Sequence, residues 1–129
     1  AATYFALSQF FLQRGVKFVW CRLFYLYGEG ENESRLVPYI KKQLANNQVA
    51  ELTGGNQIRD YMDVTEAGKI IANTAFNNET DCINVCSGMP ITVRELAEKI
   101  ASEFGKKHLL KFDAKKNHLF DPPRVIGIK

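Results

Sequence analysis

The stretch Val16–Phe24, VKFVWCRLF, limits this chain's folds more than any other segment. A strand with one wet face alternates apolar and polar residues. This one is nearly unbroken in its apolar character, so it reads as a strand buried on both faces. Such strands belong to parallel sheets covered by helices. The residues before it fit that arrangement. Ala2 to Arg14 is helical in pattern, with Ala6, Leu7, Phe10 and Phe11 expected on the sheet side and Gly15 as the stop.

The rest of the chain keeps the alternation. Tyr25 to Glu33 reads as a loop with Gly28 and Gly30. Ser34 is the expected N-cap of a helix whose stripe is Leu36, Val37, Ile40 and Leu44, with Pro38 tolerated in the first turns. Val49–Thr53 reads as a short strand, Gly54-Gly55 as a turn, and Ile58–Met62 as a second short strand. Asp63 with Glu66 forms a capping-box pattern for a helix to about Phe76, and Thr92 with Glu95 a second one for a helix ending at Gly105. Cys82–Val85 and Leu109–Phe112 read as strands. Ser87–Pro90 reads as a turn and Asp113–Phe120 as a polar loop. Asp121-Pro122-Pro123 precedes a last apolar run. The fold class is therefore α/β.

At 129 residues the chain is long enough for one domain with a core. No apolar run reaches the roughly 18 residues of a membrane span. The net charge of +3 comes from a late lysine excess, Lys106-Lys107 and Lys115-Lys116, which reads as solvated surface and not as a nucleic-acid footprint. Cys21 and Cys86 lie in apolar runs. Cys82 and Cys86 have metal-like spacing, but in a strand they stand roughly 13 Å apart, too far to share a zinc. No metal site is expected, and a reducing cytoplasm fits the cysteine usage. The chain starts within a helical pattern and stops within a strand-like one, so it reads as a piece of a longer protein.

Candidate binding residues gather at the ends of apolar elements, where α/β proteins build clefts. Arg59 lies between the Gly54-Gly55 turn and the Asp63-capped helix. Its planar fork suits a phosphate, or equally a salt bridge to a loop acid such as Glu29 or Glu31. In an extended segment Arg59 and Tyr61 point one way and Asp60 and Met62 the other, so Asp60 need not neutralise Arg59. Tyr25 and Tyr27 either offer hydroxyls to a ligand or cover a helix. Arg35 falls where the helix dipole mildly disfavours a cation, which hints at an anion, although a surface arginine reads the same way. Arg124 is either held in place by Pro122-Pro123 or an ordinary strand-edge charge. His108 and His118 read as loop histidines. The chain contains no Walker loop, HExxH, GxSxG or GxGxxG.

Four segments in register resemble the C-terminal part of the extended short-chain dehydrogenase/reductases, the NAD(P)-dependent nucleotide-sugar epimerases, dehydratases and 4-reductases. ALSQFFLQRGVKFVWCRLFYLYGEGE resembles the second half of the active-site helix with the next strand and loop. SRLVPYIKKQL resembles the substrate-domain helix. GNQIRDYMDVTEAGKII resembles the family's G-x-Q-x-R-D segment, and INVCSGMPITVRELAEKI its N-hydrophobic-x-S-G segment. The resemblance implies a partial Rossmann-like fold. Residues 1–129 would form the substrate-binding portion, residues 1–24 within it belonging to the Rossmann sheet layer. It puts the substrate diphosphate on Arg59, the nucleotide near Arg35 and Leu36, and a late closing cation on Arg124. Leu23 and Phe24 would border the nicotinamide of NAD or NADP, and Tyr25 the sugar diphosphate. The implied partner is a nucleoside-diphosphate sugar, and the implied parent is a cytoplasmic homodimer with a 4-reductase or epimerase activity. A non-catalytic regulatory module of the same fold is the alternative. This chain has Tyr25 where many members have Asn, Cys86 where Gly is common and Glu29 where Pro is common. The family's glycine-rich loop and Y-x-x-x-K pair lie upstream of the segments matched here, so no catalytic residue is assigned to this chain.

Overall fold

The computed structural model describes residues 1–77 and 82–129 and is α/β. Helix α1 (Ala2–Leu12) precedes strand β1 (Trp20–Leu23), and β2 (Tyr25–Tyr27) follows after one residue. Helix α2 (Leu36–Ala45), β3 (Ala50–Glu51), β4 (Ile58–Asp63) and α3 (Val64–Phe76) come next. Then follow β5 (Cys82–Val85), β6 (Pro90–Thr92), α4 (Val93–Glu103), a 3-10 turn (Lys107–Leu109), β7 (Leu110–Lys111) and β8 (Arg124–Val125).

Strand β4 is the hub. Its first residues pair with antiparallel β6 and parallel β8, and Tyr61–Asp63 pair in parallel with Tyr25–Tyr27 of β2. Strand β1 pairs in parallel with β5, and β3 with β7. Between β1 and β2 the backbone leaves its neighbour β5 and joins β4, with the Phe24 amide still donating to Val85. The parallel pairing expected from the apolar run is present. Its burial on both faces is not: Leu23 is 53% exposed and Val16 50%. Among the described residues β1 has one strand neighbour, and only Trp20–Leu23 of the run is strand.

Helix α1 corrects a second expectation. Tyr4, Ser8 and Phe11 are its partly covered stripe, whereas Ala6, Leu7 and Phe10 are exposed. The Tyr4 ring meets Phe18 and Trp20, and Phe11 stacks on Phe18. The helix is apolar nearly all round, so its pattern carries no phase from which the inner side could be read.

Elsewhere the expected elements form, with local differences. Residues 25–27, expected as loop, are a strand, because Tyr-Leu-Tyr is a good β sequence beside β4. The N-cap of α2 is Arg35, not Ser34; the Ser34 hydroxyl donates to Asn32 instead. Asp63 caps α3 by accepting from the Thr65 amide, but Glu66 bonds Lys69, so the reciprocal half of that box is replaced. At α4 both halves are present: Thr92 accepts from the Glu95 amide, and Glu95 accepts from the Thr92 amide. Val37, Ile40 and Leu44 of α2 pack with Leu52 and with Leu96, Ala97, Ile100 and Ala101 of α4, forming the main core. Met62, Ala67 and Val85 form a smaller one under α3.

Candidate functional site

Where β2, β4 and the start of α2 meet beside the main core, the surface opens into a cleft of about 460 Å³. Other hollows exist, one between α1 and Val16–Phe18 and one beside β5. Neither gathers opposed charges. The β2–β4–α2 cleft does: Arg35, Arg59 and Lys115 face Glu31, Glu51 and Asp121 within it, with Tyr25, Tyr39 and Tyr61 between them. Convergent polar groups over an apolar floor are what a ligand site needs.

Arg59 sits at the centre and is 3% exposed. The sheet places it there. The backbone of β4 is held by Ile91 of β6 on one side and Val125 of β8 on the other. Its neighbour Asp60, fully buried, turns away and accepts from the amides of Ser87 and Gly88. Asp60 is thus spent on anchoring the β5–β6 loop and leaves Arg59 to another partner. That partner is Asp121, whose Oδ1 accepts from an Arg59 terminal nitrogen at 2.5 Å. Glu29 and Glu31, the acids the sequence suggested, do not pair with it. The second terminal nitrogen donates to the Ile58 carbonyl at 2.9 Å. The other Asp121 oxygen, Oδ2, accepts from the Gln57 amide at 3.1 Å.

The Tyr25 ring lies 5.4 Å from the Arg59 guanidinium and 5.5 Å from the Tyr61 ring. Burial pushes the Tyr61 phenol up to about 12, against the lowering pull of Arg59 and Arg35. Tyr61 therefore stays protonated at neutral pH and can donate, but it is no general base. Arg35 stands at the rim with Nε 3.9 Å from Glu31, its side chain mostly exposed. Leu36 follows it into the cleft wall. At the far end the Tyr39 hydroxyl meets the backbone of Glu51, and Lys115 lies over the Tyr39 ring.

The cleft thus unites four of the expected residues: Tyr25, Arg35, Leu36 and Arg59. Leu23 and Phe24 lie outside it, at the end of β1, where Phe24 packs near Gly127. Arg124 is exposed on β8, paired in register with Ile58, and does not line the cleft. Sequence reasoning missed Asp121 and Gln57 and dismissed His118, which borders the cleft. Asp121 is distant from Arg59 in sequence, and no local pattern links the two. The one available signal was Pro122-Pro123, which carries Asp121 back towards β4 by giving the Pro123 carbonyl to the Ile58 amide.

The fold is that of the Rossmann-like nucleotide-sugar enzymes. UDP-glucose 4-epimerase of Thermus thermophilus, solved with NAD, superposes with a TM-score of 0.84 at 21% identity, over 99% of this chain and 43% of that one. UDP-N-acetylglucosamine 4-epimerase of Methanobrevibacter ruminantium, solved with UDP-N-acetylmuramic acid, gives 0.87 at 22% identity, over 96% and 41%. In sequence, residues 4–86 match the NAD dependent epimerase/dehydratase family. The chain belongs to that family, the extended short-chain dehydrogenase/reductases. It is 32% identical over 91 residues to CDP-abequose synthase of Salmonella muenchen, covering 68% of this chain and 31% of that protein. It is 24% identical over 111 residues to dTDP-6-deoxy-L-talose 4-dehydrogenase (NAD(+)) of Aggregatibacter actinomycetemcomitans, covering 85% and 41%. The chain therefore spans between 31% and 43% of the length of these relatives.

Proposed function

We propose that this chain forms the substrate wall of an NAD(P)-dependent nucleotide-sugar enzyme and that Arg59 grips the substrate's diphosphate. The observation that carries this reading is the state of Arg59: a nearly buried guanidinium, set on the hub strand, opening into a charged cleft. A buried cation is costly unless its partners are well placed. Asp121 supplies one such partner, and a diphosphate oxygen is the same kind of acceptor. Tyr25 and Tyr61 add hydroxyl donors beside it. Arg35 and Leu36 at the start of α2 form the nucleotide end. Arg124, three residues beyond Asp121 at the end of the chain's polar loop, is the late cation that would close over the diphosphate. The CDP and dTDP in the names of the two sequence relatives support a nucleoside-diphosphate sugar, and the 4-dehydrogenase among them supports chemistry at C4.

The dinucleotide is a poorer match to these residues. Leu23, more than half exposed, and Phe24 offer apolar surface that fits a nicotinamide ring. Among the described residues no glycine turn opens a helix as a seat for a pyrophosphate. When bound, the nicotinamide supplies or accepts hydride; this chain's residues bind and orient the sugar nucleotide. In the test, a nucleoside diphosphate is titrated by calorimetry into wild type and Arg59→Lys. Lysine keeps the charge and loses the fork, so affinity should fall about tenfold. Equal affinities would refute the grip.

A further inference from the structure

Among the described residues two buried side-chain polar atoms lack any hydrogen-bond partner: Glu31 Oε2 and Gln57 Oε1. Both belong to residues lining the Arg59 cleft, and both are acceptors. Their orientation is not arbitrary. The Gln57 amide nitrogen donates to the Asp121 carboxylate at 3.1 Å, and turning the amide over would set its oxygen against that carboxylate. Glu31 is held beside Arg35 through Oε1, at 3.9 Å, which leaves Oε2 unpaired. Glu31 and Gln57 reach the cleft from different segments, the loop after β2 and the residue before β4. A buried acceptor without a donor costs stability, roughly 1–3 kcal/mol in proteins. Such a cost is characteristic of a site that awaits its ligand.

We infer that Glu31 and Gln57 are specificity residues that accept hydrogen bonds from hydroxyl groups of the ligand whose diphosphate Arg59 holds. The inference rests on the diphosphate reading and adds to it. Arg59 recognises the anion, whereas these two acceptors read neutral donors elsewhere in the same cleft. A carboxylate beside a diphosphate is repulsive unless something separates them. Arg35, 3.9 Å from Glu31, and Arg59 supply positive charge in the same cleft. A hydroxyl suits the position because it can donate to Glu31 without bringing negative charge. It can come from two sources, the ribose of the nucleotide or the sugar beyond the diphosphate.

The experiment uses the intact protein, with variants Glu31→Leu and Glu31→Gln. Thermal midpoints are measured without ligand. Affinities are measured by calorimetry for a ribonucleoside diphosphate, its 2′-deoxy form and its hexose conjugate. Glu31→Leu should hold or raise the ligand-free midpoint, since it removes a buried unpaired acceptor. It should weaken binding of the hydroxyl-bearing ligand about tenfold. Glu31→Gln, which keeps an acceptor oxygen, should recover most of that loss. If the hydroxyl is the ribose 2′-hydroxyl, the 2′-deoxy form binds wild type and Glu31→Leu alike; if it is the 3′-hydroxyl, all three ligands bind Glu31→Leu more weakly. If it belongs to the hexose, only the conjugate responds to the variant. A Glu31→Leu protein that binds all three ligands as wild type does would overturn the inference and leave the Arg59 reading intact. So would one that loses stability and affinity together, which marks a structural role. Absence of nucleoside-diphosphate binding in wild type would overturn both.

Discussion

Arg59 and Asp121 form a pair in which each limits the other. Arg59 is nearly sealed from solvent, whereas the Asp121 side chain is 31% exposed. The carboxylate compensates the buried charge, yet it occupies a nitrogen that the proposed diphosphate would need. On the proposed reading, a diphosphate displaces Asp121 or shares the fork with it. Asp121→Asn removes the negative charge and keeps the shape. Removing one partner of a fully buried pair costs about 3–5 kcal/mol; with Asp121 a third exposed, about 1–3 kcal/mol is expected. The variant should melt lower without ligand and gain more in melting temperature from a nucleoside diphosphate than wild type does. Equal ligand-induced shifts in the two proteins would show that Asp121 does not compete for Arg59. At this scale the sequence was informative about one partner only. Arg59 stood out because a turn and a helix cap frame it, and Asp60 was correctly set aside. Asp121 was not legible, because the contact is made by chain return and leaves no trace in local spacing.

Elements were more legible where local chemistry decides them. The Thr92–Glu95 box is a short-range pattern, and the structure forms both of its hydrogen bonds. Thr92→Ala should cost about 1 kcal/mol of stability, read from urea midpoints, and leave ligand affinity unchanged. The same cap predicts a pH dependence. The Thr92 amide and hydroxyl hold the Glu95 carboxyl below its ordinary value. A depressed carboxylate contributes stability that is present above its unfolded value and is lost as pH falls through the folded one. The gap in stability between wild type and Thr92→Ala should therefore narrow on acidification through the carboxylate range. A gap that widens there would contradict the cap. Elements fixed by tertiary pairing were less legible. Tyr25–Tyr27 became a strand because β4 lies beside it, and α1 offered no phase because both its sides are apolar. The Ser34 cap failed for a local reason: Asn32 captured the hydroxyl, and Arg35 took the N-cap position.

As a whole the chain carries two kinds of surface. One is the charged cleft over the α2–α4 core. The other is apolar: α1 has no buried residue, and Phe5, Leu12 and Leu23 are all more than half exposed. Exposed apolar area on this scale drives association. The 129-residue chain by itself should scatter light as more than a monomer at micromolar concentration. It should not bind NADH or NADPH tightly, since it holds no pyrophosphate turn. Micromolar cofactor affinity in a fluorescence titration would show that a dinucleotide seat exists among these residues. The class of fold was legible at this scale, because parallel strands and their covering helices follow from hydrophobic pattern. The exposure of β1 was not, since burial depends on neighbours that a single strand's pattern does not specify.

Everything proposed for this cleft depends on whether Arg59 binds a nucleoside diphosphate. A crystal structure of the intact protein grown with a nucleoside diphosphate tests it most directly. Phosphate oxygens are expected within hydrogen-bond distance of the Arg59 guanidinium, with the Tyr25 or Tyr61 hydroxyl alongside and the Asp121 carboxylate moved or sharing the fork. A nucleotide bound elsewhere, with Arg59 still paired to Asp121 alone, would contradict it.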